Sequence, residues 1–400
     1  MIDLQHWLAR PTADSFPLDA VIAEFRRVGK HFVSQELLTT LAHARAALPE
    51  NADALRRFLN TALDKHDGCF DNPSYLALHD LPLLAIAGEG SLAFDTSHSE
   101  RQRDRLIMLL VAGLLRFEIA AHDGTTDLLP LMRPEPRITA KRCNLGLRAL
   151  RTAMMSLGID AGSDTDEPIQ AARELCARVE AEQTADERRM LAVTLLTVST
   201  VHDENLFVRV LQCYEVTFSL VAAQLRAAID VMRAGDVLGA RRALRGAENA
   251  MRDASPLFSL VATMQPEAFM TFRQYTDGAS AIQSRSYKIV ESLCRRPDPE
   301  RLVGPGYDAV PDVRERVLAG GLTLDRAVGE APLSKDNLAA INAAMSAFEA
   351  AVMDWRKMHH NLAMRMLGMN RGTGYTAGVP YLAEAMRIPL FTSPSMDGVT

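Results

Sequence analysis

Apolar residues recur along this chain at intervals of three and four, the spacing of one helical face, while alternating β-branched runs are scarce. Ala, Leu, Arg, Glu and Met are abundant, and all are good helix formers. The pattern predicts an all-α protein. Two helix starts are legible. Ser99 precedes ERQRDRLIMLLVAGLLRFEIAAH, and Thr184 precedes ADERRMLAVTLLTV with Glu187 three residues on, the spacing of a capping box. Pro130, Pro134, Pro136, Pro297, Pro299 and the Gly-Pro-Gly at 304–306 fall between the periodic segments. The small, acidic, turn-rich stretch GIDAGSDTDEP (158–168) predicts a linker. It would separate a helical region at 1–157, to which no role is assigned, from a helical domain at 168–400. No repeat of the kind that marks solenoids is present.

The strongest stripe lies on a long helix expected over about Lys335 to Met369. It runs Ile341, Met345, Phe348, Val352, Trp355, then Leu362 and Met366. The missing member is position 359, a histidine, so His359 points inward while His360 lies about 100° round the helix. A buried imidazole needs a partner, which a metal ion, a backbone carbonyl or a water could supply. A second stripe, Phe207, Leu211, Tyr214, Phe218, Val221 and Leu225, follows HDE (202–204), polar residues suited to a helix start. Core packing alone would account for it.

Two further segments carry chemistry. In MQPEAFMTFRQY (264–275), Arg273 sits among Phe269, Met270 and Phe272. A guanidinium keeps its proton, so a buried one requires an anion, either a structural acid or a substrate carboxylate held by two prongs. In NRGTGYTAGVPYL (370–382), Gly372 and Gly374 flank Thr373. Such a loop serves as a plain connector or grips a carboxylate with its hydroxyl and amides, and it fits neither a Walker loop nor a dinucleotide fingerprint.

Composition narrows the classes. Of 400 residues, 48% are hydrophobic and 24% charged, and the net charge of −6 is spread without basic blocks, so no nucleic-acid or anionic-membrane partner is expected. The apolar stretch from Leu106 to Leu115 is about half of what a membrane span needs. Cys69, Cys143, Cys176, Cys213 and Cys294 are scattered without a CxxC pair, as in reduced, cytoplasmic proteins. The opening residues lack the basic-then-apolar pattern of a signal peptide. His6, His31, His43, His66, His79, His98 and His122 have no metal-ligand spacing.

Three motifs, in order, resemble the tryptophan 2,3-dioxygenase family: HDENLFVRVLQCYEV (202–216), FMTFRQYTDGASAIQSRSYKIVES (269–292) and WRKMHHNLAMRMLGMNRGTGYTAGVPYL (355–382). The resemblance implies a helical bundle of the tryptophan/indoleamine dioxygenase type with an extra N-terminal helical region. It implies haem b as cofactor with His359 as proximal ligand, Arg273 on the substrate carboxylate, and Thr373 with Gly372 and Gly374 in the loop over the amino-acid end. Phe207 falls on the wall of the substrate pocket. The implied reaction inserts both atoms of O2 across the indole 2,3-bond of tryptophan or a derivative, giving an N-formylkynurenine-type product, in a homo-oligomer (dimer or tetramer).

The departures are specific. Leu211 stands where the family has a distal histidine, and a leucine cannot hydrogen-bond an indole N–H. Phe269 replaces a tyrosine, Ala279, Ser280 and Ala281 stand at the family's SSG, and the chain is shorter than the family between Glu291 and Trp355. These substitutions leave a second chemistry open: a haem monooxygenase or peroxygenase oxidising an aromatic amino acid, with O2 or peroxide, without cleaving its ring.

Overall fold

A computed structural model describes residues 4–68, 70–83, 96–160, 167–276, 283–368, 370, 372 and 377–392. Among them every regular element is helical, and the only extended pairing is an isolated bridge between Leu131 and Val201. The all-α expectation therefore holds.

The chain forms two compact units. The first comprises Met1–Leu83, Arg105–Cys213 and Ser259–Ala281, the second Leu84–Asp104, Tyr214–Phe258 and Ile282–Thr400. They interleave along the sequence and do not follow the linear division expected at 158–168. The helix before that stretch, Pro136–Ser156, packs on the helix after it, Pro168–Ala181, within the first unit. Residues 161–166 of that stretch lie outside the described residues, and the helices that flank it are packed neighbours.

In the first unit, Trp7, Phe25, Leu41, Phe58 and Leu59 from four N-terminal helices build one apolar core with Val193 and Leu196. The helix Leu18–Val28 ends at Gly29, whose φ of +83° a side chain would resist. A Cβ there would also lie 2.7 Å from the Ser199 backbone. That close approach lets Lys30 N donate to Thr197 O (2.8 Å) and His31 N to Val198 O (3.1 Å), tying the N-terminal region to the segment that precedes HDE. The capping box forms as expected: Glu187 N donates to Thr184 Oγ1 (3.1 Å) and Thr184 N to the Glu187 carboxylate (3.0 Å). The other expected start is displaced, since the helix begins at Thr96 and Ser99 lies inside its first turn.

In the second unit the helix Lys335–Leu367 packs along Val237–Asp253. The facing stripe of the latter is small, with Ala240, Ala243, Ala247 and Ala250 buried, so the two backbones approach closely around Ile341, Met345, Phe348 and Val352. The helix Asp203–Arg233 contributes its first turns to one unit and the remainder to the other. It is long and apolar enough to cross a membrane, but most of its apolar window is buried inside the protein, as in a core helix. The described cysteines, Cys143, Cys176, Cys213 and Cys294, are buried and form no disulfide.

Candidate functional site

The HDE motif opens the helix Asp203–Arg233, as its polarity suggests, but away from solvent. His202, Asp203 and Glu204 are wholly buried in the first unit. Arg142, also wholly buried, donates to both oxygens of Glu118 (3.0 and 3.2 Å), to Asp203 Oδ1 (2.7 Å) and to Thr263 Oγ1 (3.0 Å). Against the pull of burial, Arg142 and His202 hold the Glu118 carboxyl below its usual range. Asp203 Oδ2 accepts from Gln265 N (2.7 Å), and His202 stacks on Phe117 with centroids 4.8 Å apart. Glu204 accepts from Val198 N (2.6 Å), Ser199 N (3.1 Å) and Ser199 Oγ (2.7 Å), and burial still pushes it up to about 7. The motif therefore anchors the helix Asp203–Arg233 and fixes its rotation.

That rotation decides what Phe207 and Leu211 do. They sit one turn apart and are half-buried, while the residues around them on the helix, 201–206 and 208–210, are buried. Phe207 gathers Phe269 (centroids 5.7 Å), Phe272 (5.5 Å) and Tyr75 (6.4 Å). Tyr75 is a contribution of the N-terminal region that sequence reasoning missed. It reaches the cluster from 132 positions away and carries no local pattern of its own. Its hydroxyl faces Glu204 Oε1 (3.4 Å), so the structural anchor and the aromatic cluster share a member. Arg273 closes the helix Pro266–Arg273 one turn beyond Phe269 and is half-buried, short of the full burial that would demand a permanent counter-ion. The structure thus brings Phe207, Leu211, Phe269 and Arg273 into one unit, with aromatic surface next to a cation.

The second unit holds His359. Its helix spans Lys335–Leu367, close to the expected bounds, and the stripe from Ile341 to Val352 is buried as read. Trp355, His359 and Leu362 are the half-buried members of that stripe, and the first two have ring centroids 5.4 Å apart. Phe258 lies 6.4 Å from His359, and Tyr214, Phe218 and Tyr287 surround Trp355. Burial, with His360 alongside, pushes the His359 imidazole down to about 4, so it is neutral at physiological pH with a lone pair to offer. One turn away, Trp355 Nε1 is buried without a hydrogen-bond partner. A neutral imidazole and an orphaned donor on one aromatic face suit a flat, polar-edged group such as haem. Among the described residues no three His, Cys, Asp or Glu side chains gather.

The neighbour of Trp355 is structural. Arg356 donates to Tyr287 Oη (2.7 Å), Glu291 Oε1 (2.8 Å), Ala385 O (2.9 Å) and Ile388 O (2.5 Å). Lys288 and Arg301 also reach Glu291, and despite burial the three cations hold its carboxyl well below the usual range. This network locks the His359 helix to Arg285–Cys294 and to the C-terminal helix Val379–Ala385. Gly372 is described and half-buried; Thr373 and Gly374, and also Ala279, Ser280 and Ala281, lie outside the described residues.

Residues 179–302 match the sequence profile of the tryptophan 2,3-dioxygenase family. The matched stretch contains Phe207, Leu211, Phe269 and Arg273 and ends before His359. The chain is 26% identical over 241 residues to a tryptophan 2,3-dioxygenase of Xanthomonas euvesicatoria pv. vesicatoria (strain 85-10), covering 49% of this chain and 81% of the relative. It is 27% identical over 230 residues to one from Anaeromyxobacter sp. (strain K), covering 48% of this chain and 84% of the relative. A third relative of the same name, from Xanthomonas campestris pv. campestris (strain B100), is 26% identical over 227 residues, or 48% and 76% of the two chains. Over about half of its length the chain is thus similar to tryptophan 2,3-dioxygenases.

Proposed function

We propose that this chain is a haem-dependent dioxygenase that inserts O2 across the indole 2,3-bond of L-tryptophan or a tryptophan derivative, releasing an N-formylkynurenine-type product. The observation that carries the proposal is the neutral His359 imidazole beside the orphaned Trp355 indole, in a chain whose sequence matches the dioxygenase family. His359 would hold the haem iron as its single protein ligand. Bound haem supplies the chemistry that activates O2.

The remaining roles belong to the protein. The Arg273 guanidinium takes the substrate carboxylate through two parallel N–H donors, which fixes the amino-acid end. Phe207 and Phe269 receive the aromatic ring on their faces and keep water from it. Leu211 offers the ring only apolar contact. Recognition of an indole therefore rests on shape and on the carboxylate anchor, and a ring bearing a substituent at its nitrogen is tolerated.

Two measurements test the proposal together. The purified wild-type protein is expected to show a Soret band that His359→Ala loses, and a variant with an intact native spectrum would remove His359 as the ligand. Ferrous protein given L-tryptophan and isotopically heavy O2 should release a product carrying both heavy atoms. A product carrying one would point to ring oxidation without cleavage.

A further inference from the structure

Wholly within the first unit, a cavity of about 410 Å³ is lined by Arg26, Arg116, Arg188 and Arg209 and by no aspartate or glutamate. Its apolar wall includes Phe117 and Leu191. The arginines run from mouth to floor: Arg116 and Arg188 are exposed, Arg26 is half-buried and Arg209 is buried. The mouth pair are partnered at the surface, Arg116 by Glu180 (2.6 Å) and Arg188 by Gln183 O (2.7 Å). The inner pair are held only by neutral oxygens. Arg209 donates to Thr194 Oγ1 (2.9 Å), Gln212 Oε1 (2.8 Å) and Leu191 O (2.7 Å), and Arg26 to Leu195 O (3.3 Å) and Ala192 O (2.8 Å).

Two guanidinium charges inside a protein without a carboxylate are an expensive arrangement, because hydrogen bonds to neutral oxygens leave the charge itself uncompensated. The strain registers in Arg209, which burial and then repulsion from Arg26 push down to about 9. A fold with no use for the charge would do better with a glutamate in the wall. The cavity's polar members on the helix Asp203–Arg233, Asn205 and Arg209, lie about 200° round from Phe207, on the opposite face. The cavity is therefore separate from the aromatic cluster of the candidate substrate face.

We infer that this cavity is a second small-molecule site, taking an organic anion, a carboxylate or a phosphate ester, whose charged group rests against Arg26 and Arg209 and whose apolar body packs on Phe117 and Leu191. Its volume lies within the range of sites that accept metabolite-sized ligands. The exposed Arg116 and Arg188 draw the anion to the mouth.

Titration calorimetry on the full-length haem-loaded protein tests the site, with 3-phenylpropanoate and phenyl phosphate as probes and sodium chloride as the control for bulk charge. Saturable binding of one probe that persists in Arg273→Ala, where the proposed substrate site cannot grip a carboxylate, is expected, and the better probe identifies the carboxylate or the phosphate class. Arg26→Gln should weaken that binding about tenfold or more, as loss of a charge-assisted hydrogen bond does. Arg188→Gln, at the exposed mouth, gives a second reading that does not depend on a buried substitution folding well, and it should weaken binding by a smaller factor. Arg273→Ala should leave probe affinity unchanged. The inference is overturned if neither probe binds saturably, if chloride competes at equal concentration, if both Gln variants bind as wild type, or if binding disappears in Arg273→Ala.

Discussion

Two residues on one turn of a helix separate what a local pattern reveals from what it conceals. Phe207 and Leu211 belong to a stripe whose spacing predicts an inward face, yet both are only half-buried, and Phe207 stands beside Phe269 and Tyr75. Periodicity distinguishes faces of a helix; it does not distinguish a packed core from a pocket wall, because both are apolar. Arg273 was legible because a cation among aromatic residues is chemically conspicuous. In the proposed role, replacing it with alanine would remove a bidentate, charge-assisted contact of about 1.5–3 kcal/mol. We expect Arg273→Ala to raise the KM for the amino acid between about tenfold and a hundredfold while kcat changes much less. Steady-state kinetics check this, and an unchanged KM would remove Arg273 from the substrate's reach.

Helices came through the sequence with their bounds nearly intact where local signals agreed. The helix ending near position 367 was read within two residues, because Ser334 supplies its N-cap and a 4–3 stripe runs most of its length. At Thr184 the reciprocal capping box was equally explicit. Thr184→Ala should cost about 1 kcal/mol of stability, measured by urea unfolding, since it orphans the Glu187 amide at an exposed helix end. HDE does stand at a helix start, as its polarity suggests, but its burial was not legible. Asp203 is satisfied by Arg142 and Glu204 by Val198 and Ser199, while His202 Nε2 lies 3.2 Å from Glu118. Ser199 lies close in sequence, but Glu118 and Arg142 are supplied by other helices, and no local pattern announces them.

At the scale of the whole molecule, buried carboxyls set how stability responds to pH. Glu215 is buried near Ser284 and Ser286, and burial pushes it up to about 7, well above an ordinary carboxyl at about 4.3. The folded state therefore binds a proton that the unfolded state has released. Its stabilising share is fully present below the unfolded value and is lost as pH rises through about 7. Glu204, pushed to about 7, acts in the same sense. Glu291 acts in the opposite sense, and only in acid, because its carboxyl is held below the usual range. Glu215→Gln should thus flatten the fall in stability between pH 5 and pH 8, by up to about 3 kcal/mol. Denaturant midpoints at the two pH values measure it, and a variant with the wild-type slope would show that Glu215 ionises freely in the fold.

By itself the sequence determined the helical class, the long helix with His359 on its inner stripe, the capping box, and the chemical candidates Phe207, Leu211, Phe269 and Arg273. These follow from spacing and side-chain type, which are local properties of a helix. Tertiary structure alone decided that the stretch at 158–168 joins packed neighbours within a unit, that HDE is a buried anchor, and that Tyr75 joins the Phe207 cluster. It also decided that Arg26 and Arg209 meet in a cavity without a carboxylate. Each of these depends on groups brought together from different helices and loops, and the energies that select them, burial of charge and satisfaction of its partners, do not exist until the chain has folded.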